Sequence, residues 1–153
     1  MLLGTHRTKL DDKGRLTLPG KWIQEFSHGL ILTRGVDQSL LMFSVAKFES
    51  VATGIDRLGI ESADVRKWAR FMSALAVDLE PDKRGRVPIS PAQLKFAGIT
   101  GDVVLVGVLG YVQIWDPQKY EEAESTDLSA ITQIAERVDK LLRASAARVA
   151  SGE

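Results

Sequence analysis

Two short stretches of this chain carry side chains able to grip an anion or the edge of a base. They are Asp11-Asp12-Lys13-Gly14-Arg15 and Asp82-Lys83-Arg84-Gly85-Arg86. Both read Asp, two polar residues with at least one basic, Gly, Arg. Asp-x-x-Gly is turn chemistry, because Asp accepts nearby backbone N–H bonds and Gly takes a positive φ. One such stretch is fully explained as a solvated hairpin tip. Two of them, each ending in Arg and flanked by Lys13, Lys83 and Arg84, weigh toward a basic surface for nucleic acid. The planar fork of Arg matches a phosphate, or O6 and N7 of guanine, bidentately. Gly14 and Gly85 let the backbone come close to a ligand. The expected contacts are Arg15, Arg86, Lys13, Lys83, Arg84, Gly14 and Gly85.

Other chemistries are less well supplied. Asp11 and Asp82 can be imagined as paired carboxylates for acid–base work. An Asp that opens a turn and holds the Arg four residues on is the stronger reading. His6 and His28 lie in different elements without ligand spacing, and the chain has no Cys, so no metal site is expected. No nucleophile elbow, Walker loop or dinucleotide fingerprint is present. Neither an enzyme nor a cofactor is expected. Trp22, Trp68 and Trp115 fall on apolar faces and read as core.

The two stretches belong to a larger repeat. At an offset of 71, Asp11, Gly14 and Arg15 land on Asp82, Gly85 and Arg86. At an offset of 72, Gly29, Gly35, Phe43 and Phe48 land on Gly101, Gly107, Trp115 and Tyr120. Each half reads strand, basic Gly turn, strand, short helix, Gly, hairpin, helix, as one duplicated unit does.

The elements that position the turns follow from pattern. Thr5 to Leu10 alternates as a strand, the turn follows, and Arg15 to Leu18 resumes the strand. Pro19 opens a short helix to Phe26. Leu30 to Thr33 and Ser39 to Phe43 form a hairpin, and Ser44 caps a helix from Val45 to about Leu58. Ser62 caps another through Ala76, with Val65, Trp68, Ala69, Met72 and Leu75 in one stripe. Val77 to Pro81 opens the second copy. Ser90-Pro91 starts a helix to Ala97, and Val103 to Val108 with Tyr111 to Trp115 make the second hairpin. Asp116-Pro117 begins a helix to about Glu124. Leu128 to Val149 is a longer helix with Ile131, Ala135, Val138 and Leu142 on a narrow stripe. Packing on its own core and forming a seam for another protomer both remain open.

These spans divide the chain into a first repeat (1–58), a helical connector (59–76), a second repeat (77–124) and a C-terminal helix (125–153). With 153 residues, 44% of them hydrophobic, this is an α+β chain of one or two small units. Each half is too small to bury a robust core alone, so two halves sharing one core is the economical solution. Twenty basic and twenty acidic residues cancel, so any nucleic-acid site must come from local clustering. The first residues lack the apolar run of a signal peptide, and no segment is long enough to span a bilayer. A soluble cytoplasmic protein is expected, nucleoid-associated if it binds DNA. One asymmetry stands out: Arg7 and Lys9 correspond to Asp78 and Glu80. A basic strand face meeting the acidic face of another copy would give a head-to-tail contact that can close into a ring.

The chain resembles the MraZ family of bacterial transcriptional regulators, built from two SpoVT/AbrB-type domains. The carriers are Leu10 to Pro19 around Asp11-Asp12-Lys13-Gly14-Arg15, and Asp82-Lys83-Arg84-Gly85-Arg86-Val87. Gly101-Asp102-Val103-Val104-Leu105-Val106-Gly107 and Ile114-Trp115-Asp116 add to it, and the likeness runs to about Glu124. The resemblance implies swapped-hairpin units forming one pseudo-symmetric AbrB-like β-barrel. It also implies a ring-shaped homo-oligomer on double-stranded DNA, at short direct repeats upstream of the division and cell-wall gene cluster. By resemblance Arg15 and Arg86 are the chief DNA contacts, helped by Lys13, Lys83 and Arg84. The competing reading is an AbrB-like antitoxin that grips a toxin through its C-terminal helix.

Overall fold

Period-two and period-3.6 stretches alternate along the chain and become strands and helices in turn. The computed structural model describes residues 1–125 and 127–152, so Thr126 and Glu153, within the 125–153 segment expected to be the tail, lie outside the described residues. The order is β1 (Leu2–Lys9), β2 (Arg15–Thr17), α1 (Gly20–Ile23, followed by a 3-10 turn, Gln24–Phe26), β3 (Leu30–Arg34), β4 (Leu40–Ser44), α2 (Val45–Asp56) and α3 (Ala63–Ala74). The same order follows in β5 (Val77–Leu79), β6 (Arg86–Pro88), α4 (Pro91–Ala97), β7 (Asp102–Leu109), β8 (Tyr111–Trp115), α5 (Pro117–Glu124) and α6 (Leu128–Ala150). Met1–Tyr120 form one compact unit and Glu121–Glu153 another.

Six strands form one antiparallel sheet in the order β1-β7-β8-β4-β3-β5, and β2 pairs with β6 as a separate two-stranded ribbon. The halves are interleaved: β1 of the first half pairs with β7 of the second, and β5 of the second pairs with β3 of the first. By its ladders the sheet is open, with β1 and β5 as its outer strands. Leu16 and Val87 from the ribbon join Leu30, Leu32, Leu40, Met42, Val103, Leu105, Val112 and Ile114 from the sheet in one core. Trp22 and Phe26 fill the space beside them, and His6 meets Trp22 edge-on at 4.8 Å.

Ladder register corrects the repeat alignment by one residue in the third strand of each half. Thr8 opposes Val103 as Leu79 opposes Leu30, so Leu30 corresponds to Val103 rather than Asp102. Arg34, not Gly35, is then the counterpart of Gly107. The extra residue is absorbed between α4 and β7, where a loop tolerates it.

Strand β1 also starts earlier than expected, at Leu2, because Leu2 is buried and pairs with Leu109. Gly107 permits this close approach: a Cβ there would lie 2.6 Å from Leu2 C and from Leu3 N. Those are backbone atoms and cannot swing away. Gly107→Ala is therefore expected to destabilise by about 1–3 kcal/mol through overpacking, read as a lower urea midpoint. An unchanged midpoint would refute the contact.

Trp22 and Trp115 are buried as expected, but Trp68 is not core. It stays 41% exposed, stacked at 13° on Phe71. The stripe of α3 buries only Met72, and the outer part of the stripe reaches solvent. The helix is held instead by β3: Thr33 Oγ1 donates to Met72 O at 2.6 Å and Arg34 Nε to Phe71 O at 2.9 Å. Within the second unit, Asp127 caps α6, whose helix buries none of its residues.

Candidate nucleic-acid interface

Each motif folds into a closed turn by its own hydrogen bonds. Asp11 Oδ1 accepts from the backbone N–H groups of Lys13 and Arg15, both at 2.9 Å. Its Oδ2 accepts from Arg15 Nε at 2.7 Å. The second turn repeats this. Asp82 Oδ1 accepts from the N–H groups of Arg84 and Arg86 at 2.9 Å, and Oδ2 from Arg86 Nε at 2.6 Å. Gly14 and Gly85 sit at φ of 72° and 74°, the left-handed region that glycine enters freely. The spacing Asp, Gly, Arg is thus one device: Asp closes the loop, Gly turns the chain, and Arg is clamped from one side.

The clamp decides what remains for a ligand. Asp occupies Nε, and among the described residues neither arginine bonds through its terminal Nη atoms. Those two nitrogens form a planar fork at the end of the side chain. The Arg15 and Arg86 side chains are 26% and 27% exposed, so each is partly supported by its surroundings and partly open to solvent.

The ribbon brings the two turns together. β2 and β6 pair with Arg15 opposite Pro88, Leu16 opposite Val87 and Thr17 opposite Arg86. Leu16 and Val87 are fully buried, so alternation puts Arg15, Thr17, Arg86 and Pro88 on the outward face. Arg15 and Arg86 are diagonal neighbours there, about 7–8 Å apart. Backbone bonds from Ile89 to Gly14 and from Leu18 to Gly85 hold each turn against the opposite strand. Lys13, Lys83 and Arg84 stand exposed at the tips. All seven expected residues therefore lie along one short ribbon. Thr17 and Pro88 share its outward face, and the strict alternation in Arg-Leu-Thr-Leu and Arg-Val-Pro-Ile was the signal that could have found them.

The carboxyls of Asp11 and Asp82 are held below the ordinary value of 3.8, chiefly by the backbone N–H of the motif arginine; desolvation opposes this, and the arginine side chain adds a further, smaller lowering. A lowered folded value means the clamp contributes its full stabilisation above 3.8 and loses it as pH falls through the lowered value. The arginine Nε–H protons should therefore stay protected from exchange across the neutral range and lose protection only in acid below 3.8. Loss of protection near neutrality, followed by NMR, would rule out the clamp. As clamps these carboxylates are committed to structure and are not placed as an acid–base pair. Among the described residues no group of three or more His, Cys, Asp or Glu stands ready to hold a metal. Among the described residues no helix is long and apolar enough to cross a membrane.

The interleaved halves and the paired Arg turns define a duplicated α+β protein whose two repeats jointly build one exposed basic ribbon. The family described as "MraZ protein, putative antitoxin-like" matches residues 1–71 and again 72–141. Similar curated proteins carry the name transcriptional regulator MraZ. The one from Cutibacterium acnes is 39% identical over 127 residues, covering 81% of this chain and 89% of that protein. The one from Saccharopolyspora erythraea is 36% identical, covering 79% and 85%. The one from Frankia alni is 35% identical, covering 90% and 96%. The chain belongs to the MraZ family.

Proposed function

We propose that this protein is a sequence-specific DNA-binding transcriptional regulator that lays the β2·β6 ribbon into the major groove. The observation that carries it is the pair of clamped arginines sharing the ribbon's outward face with their terminal nitrogens unbonded. The major groove admits a two-stranded β-ribbon, and Arg bidentate to guanine O6 and N7 is its commonest specific contact. With Nε taken by Asp, each arginine reads end-on through its two Nη atoms. A separation of about 7–8 Å corresponds to roughly two base steps. One protomer then reads two guanines about two pairs apart, while Lys13, Lys83 and Arg84 meet phosphates. The names of the relatives support the same reading. Sheet and ribbon are taken together as the AbrB-like barrel, with repeats at 1–58 and 77–124, the connector at 59–76 and the tail at 125–153. A cytoplasmic, nucleoid-associated place follows from the partner. Titrating a fluorescent duplex from upstream of the chain's own operon, at several salt concentrations, tests it; no binding at low salt would overturn it.

The finer reading is a ring acting on short direct repeats upstream of the division and cell-wall genes. One ribbon makes few contacts, and repeated sites that engage several ribbons multiply weak affinities about 10²–10⁴-fold. The charge reversal supports head-to-tail contact: Arg7 and Lys9 are exposed on β1, Asp78 on β5 and Glu80 just beyond it. Within its own chain Lys9 reaches Asp102 only at 3.9 Å, an exposed and weak pair. Native mass measurement of the Arg7→Glu, Lys9→Glu double variant should show smaller species than wild type. An unchanged assembly would remove this contact.

A second reading, a toxin gripped by α6, rests on exposed apolar residues there, among them Ile131, Val138 and Leu142. It leaves the paired arginines without a role, and the DNA reading is preferred for that reason.

A further inference from the structure

We infer that Thr17 and Pro88 fix the direction in which one protomer reads the duplex. The inference rests on the DNA reading of the ribbon and goes beyond it. The ribbon has a local two-fold axis through the Leu16–Val87 pair, because Arg15 opposes Pro88 as Arg86 opposes Thr17. A duplex backbone has two-fold axes of its own. A fully symmetric ribbon would therefore sit on DNA equally well in either orientation, and its best site would itself be two-fold symmetric. Something on the base-facing surface must break the tie.

Four residues make up the outward face of the paired segments: Arg15, Thr17, Arg86 and Pro88. The arginines correspond to each other, and so do their clamps, to within 0.1 Å at Nε. Only Thr17 and Pro88 differ. Hydrogen bonds join Ile89 to Gly14 and Leu18 to Gly85, so by alternation the 15/88 and 17/86 pairs are the non-hydrogen-bonded ones. Side chains in such pairs stand closest together. Arg86 thus works beside a hydroxyl and a methyl, and Arg15 beside a proline ring. The hydroxyl can donate or accept at a base edge and the methyl can meet the methyl of thymine, whereas proline offers no polar group. One half of the ribbon reads a base step that the other half cannot.

A rival asymmetry lies at the tips, where Asp12 corresponds to Lys83. Tip residues face phosphates, which set affinity and carry no sequence information directly. They alter how tightly DNA is held, not which way round a sequence lies. The non-hydrogen-bonded position of Pro88 also means its missing N–H costs the ladder nothing, and β6 keeps the same three-residue length as β2. Threonine fits there without a new backbone demand.

The test is selection of duplexes from a randomised pool by the full chain, and the two forms compared are the enriched site and the same site with the base step beside its specified guanine changed. Wild type should enrich a site with a specified step beside only one of its two guanines, and bind it at least about fivefold more tightly than the changed form, the low end of one mismatched step. Pro88→Thr makes the outward face symmetric and should enrich a two-fold symmetric site, with that step beside both guanines. Thr17→Val keeps the shape, removes the hydroxyl and should shrink the wild-type preference to within about twofold. Asp12→Lys should raise affinity for both forms and leave their ratio alone. The inference is overturned if wild type selects a two-fold symmetric site, or if Thr17→Val and a folded Pro88→Thr select the same site as wild type. Failure of wild type to enrich any sequence would instead sink the DNA reading itself.

Discussion

Replacing Arg15 or Arg86 with alanine is expected to weaken operator binding by about 5–150-fold per ribbon, the cost of one bidentate guanine contact of about 1–3 kcal/mol. An assembly that engages several ribbons at once would lose correspondingly more. The fold should survive. Among the described residues each guanidinium hydrogen-bonds only to its own Asp, whose side chain is already 35% (Asp11) or 37% (Asp82) exposed, so removing it strands no charge in the interior. Thermal midpoints should stay close to wild type. Lys13→Ala supplies the contrast, since losing a phosphate contact weakens all sequences alike and flattens the salt dependence. Anisotropy titration against specific and scrambled duplexes separates the two effects. Wild-type affinity in both arginine variants would remove the ribbon from the interface.

The second large effect is on stability and concerns a residue far from any expected site. Gln93→Leu is expected to cost roughly 3 kcal/mol and lower the melting midpoint by roughly 10 °C. Gln93 is 1% exposed, and its amide nitrogen donates to Leu32 O and Leu75 O, both at 2.9 Å. Its Oε1 accepts from the N–H of Ser90 at 3.1 Å, completing a reciprocal cap with the Ser90 side chain. One side chain thereby ties α4 to β3 and to the residue that ends α3. Leucine fills similar space but removes all three bonds, one to the Leu32 carbonyl in the buried interior and two, to Leu75 O and Ser90 N–H, at part-buried positions. Urea unfolding measures the loss, and a change below about 1 kcal/mol would mean that water or a neighbour takes over those bonds.

Much of this architecture was legible in local pattern. The Asp-x-x-Gly-Arg turns, the alternation around Leu16 and Val87 and the caps at Ser44, Ser62 and Ser90 each rest on neighbouring residues, and each formed where expected. What the pattern could not carry was distance along the chain. Nothing local says that β2 pairs with β6, yet that pairing brings Arg15 beside Arg86. The one-residue slip at Leu30 and Val103 hid because Leu30-Ile31-Leu32 and Val103-Val104-Leu105-Val106 are continuously apolar, so no alternation marks their register. Trp68 sits on an apolar stripe, but the sheet can cover only part of that stripe, and Met72 takes the buried place. Ser-x-x-Gln at Ser90 and Gln93 was a readable capping signal. Its two long-range bonds to Leu32 and Leu75 were not.

The exchange of outer strands between the halves has a consequence for biogenesis. When the first seventy residues leave the ribosome, β1 has no partner, because β7 has not yet been made. The nascent half can form its helices and the β3·β4 hairpin, but its apolar faces stay wet until synthesis is nearly complete. Native structure therefore arrives late and through distant contacts, a slow route that favours release before folding. Two chains emerging side by side on one message could lend each other the missing strands, so polysomes are where faulty pairing between copies should concentrate.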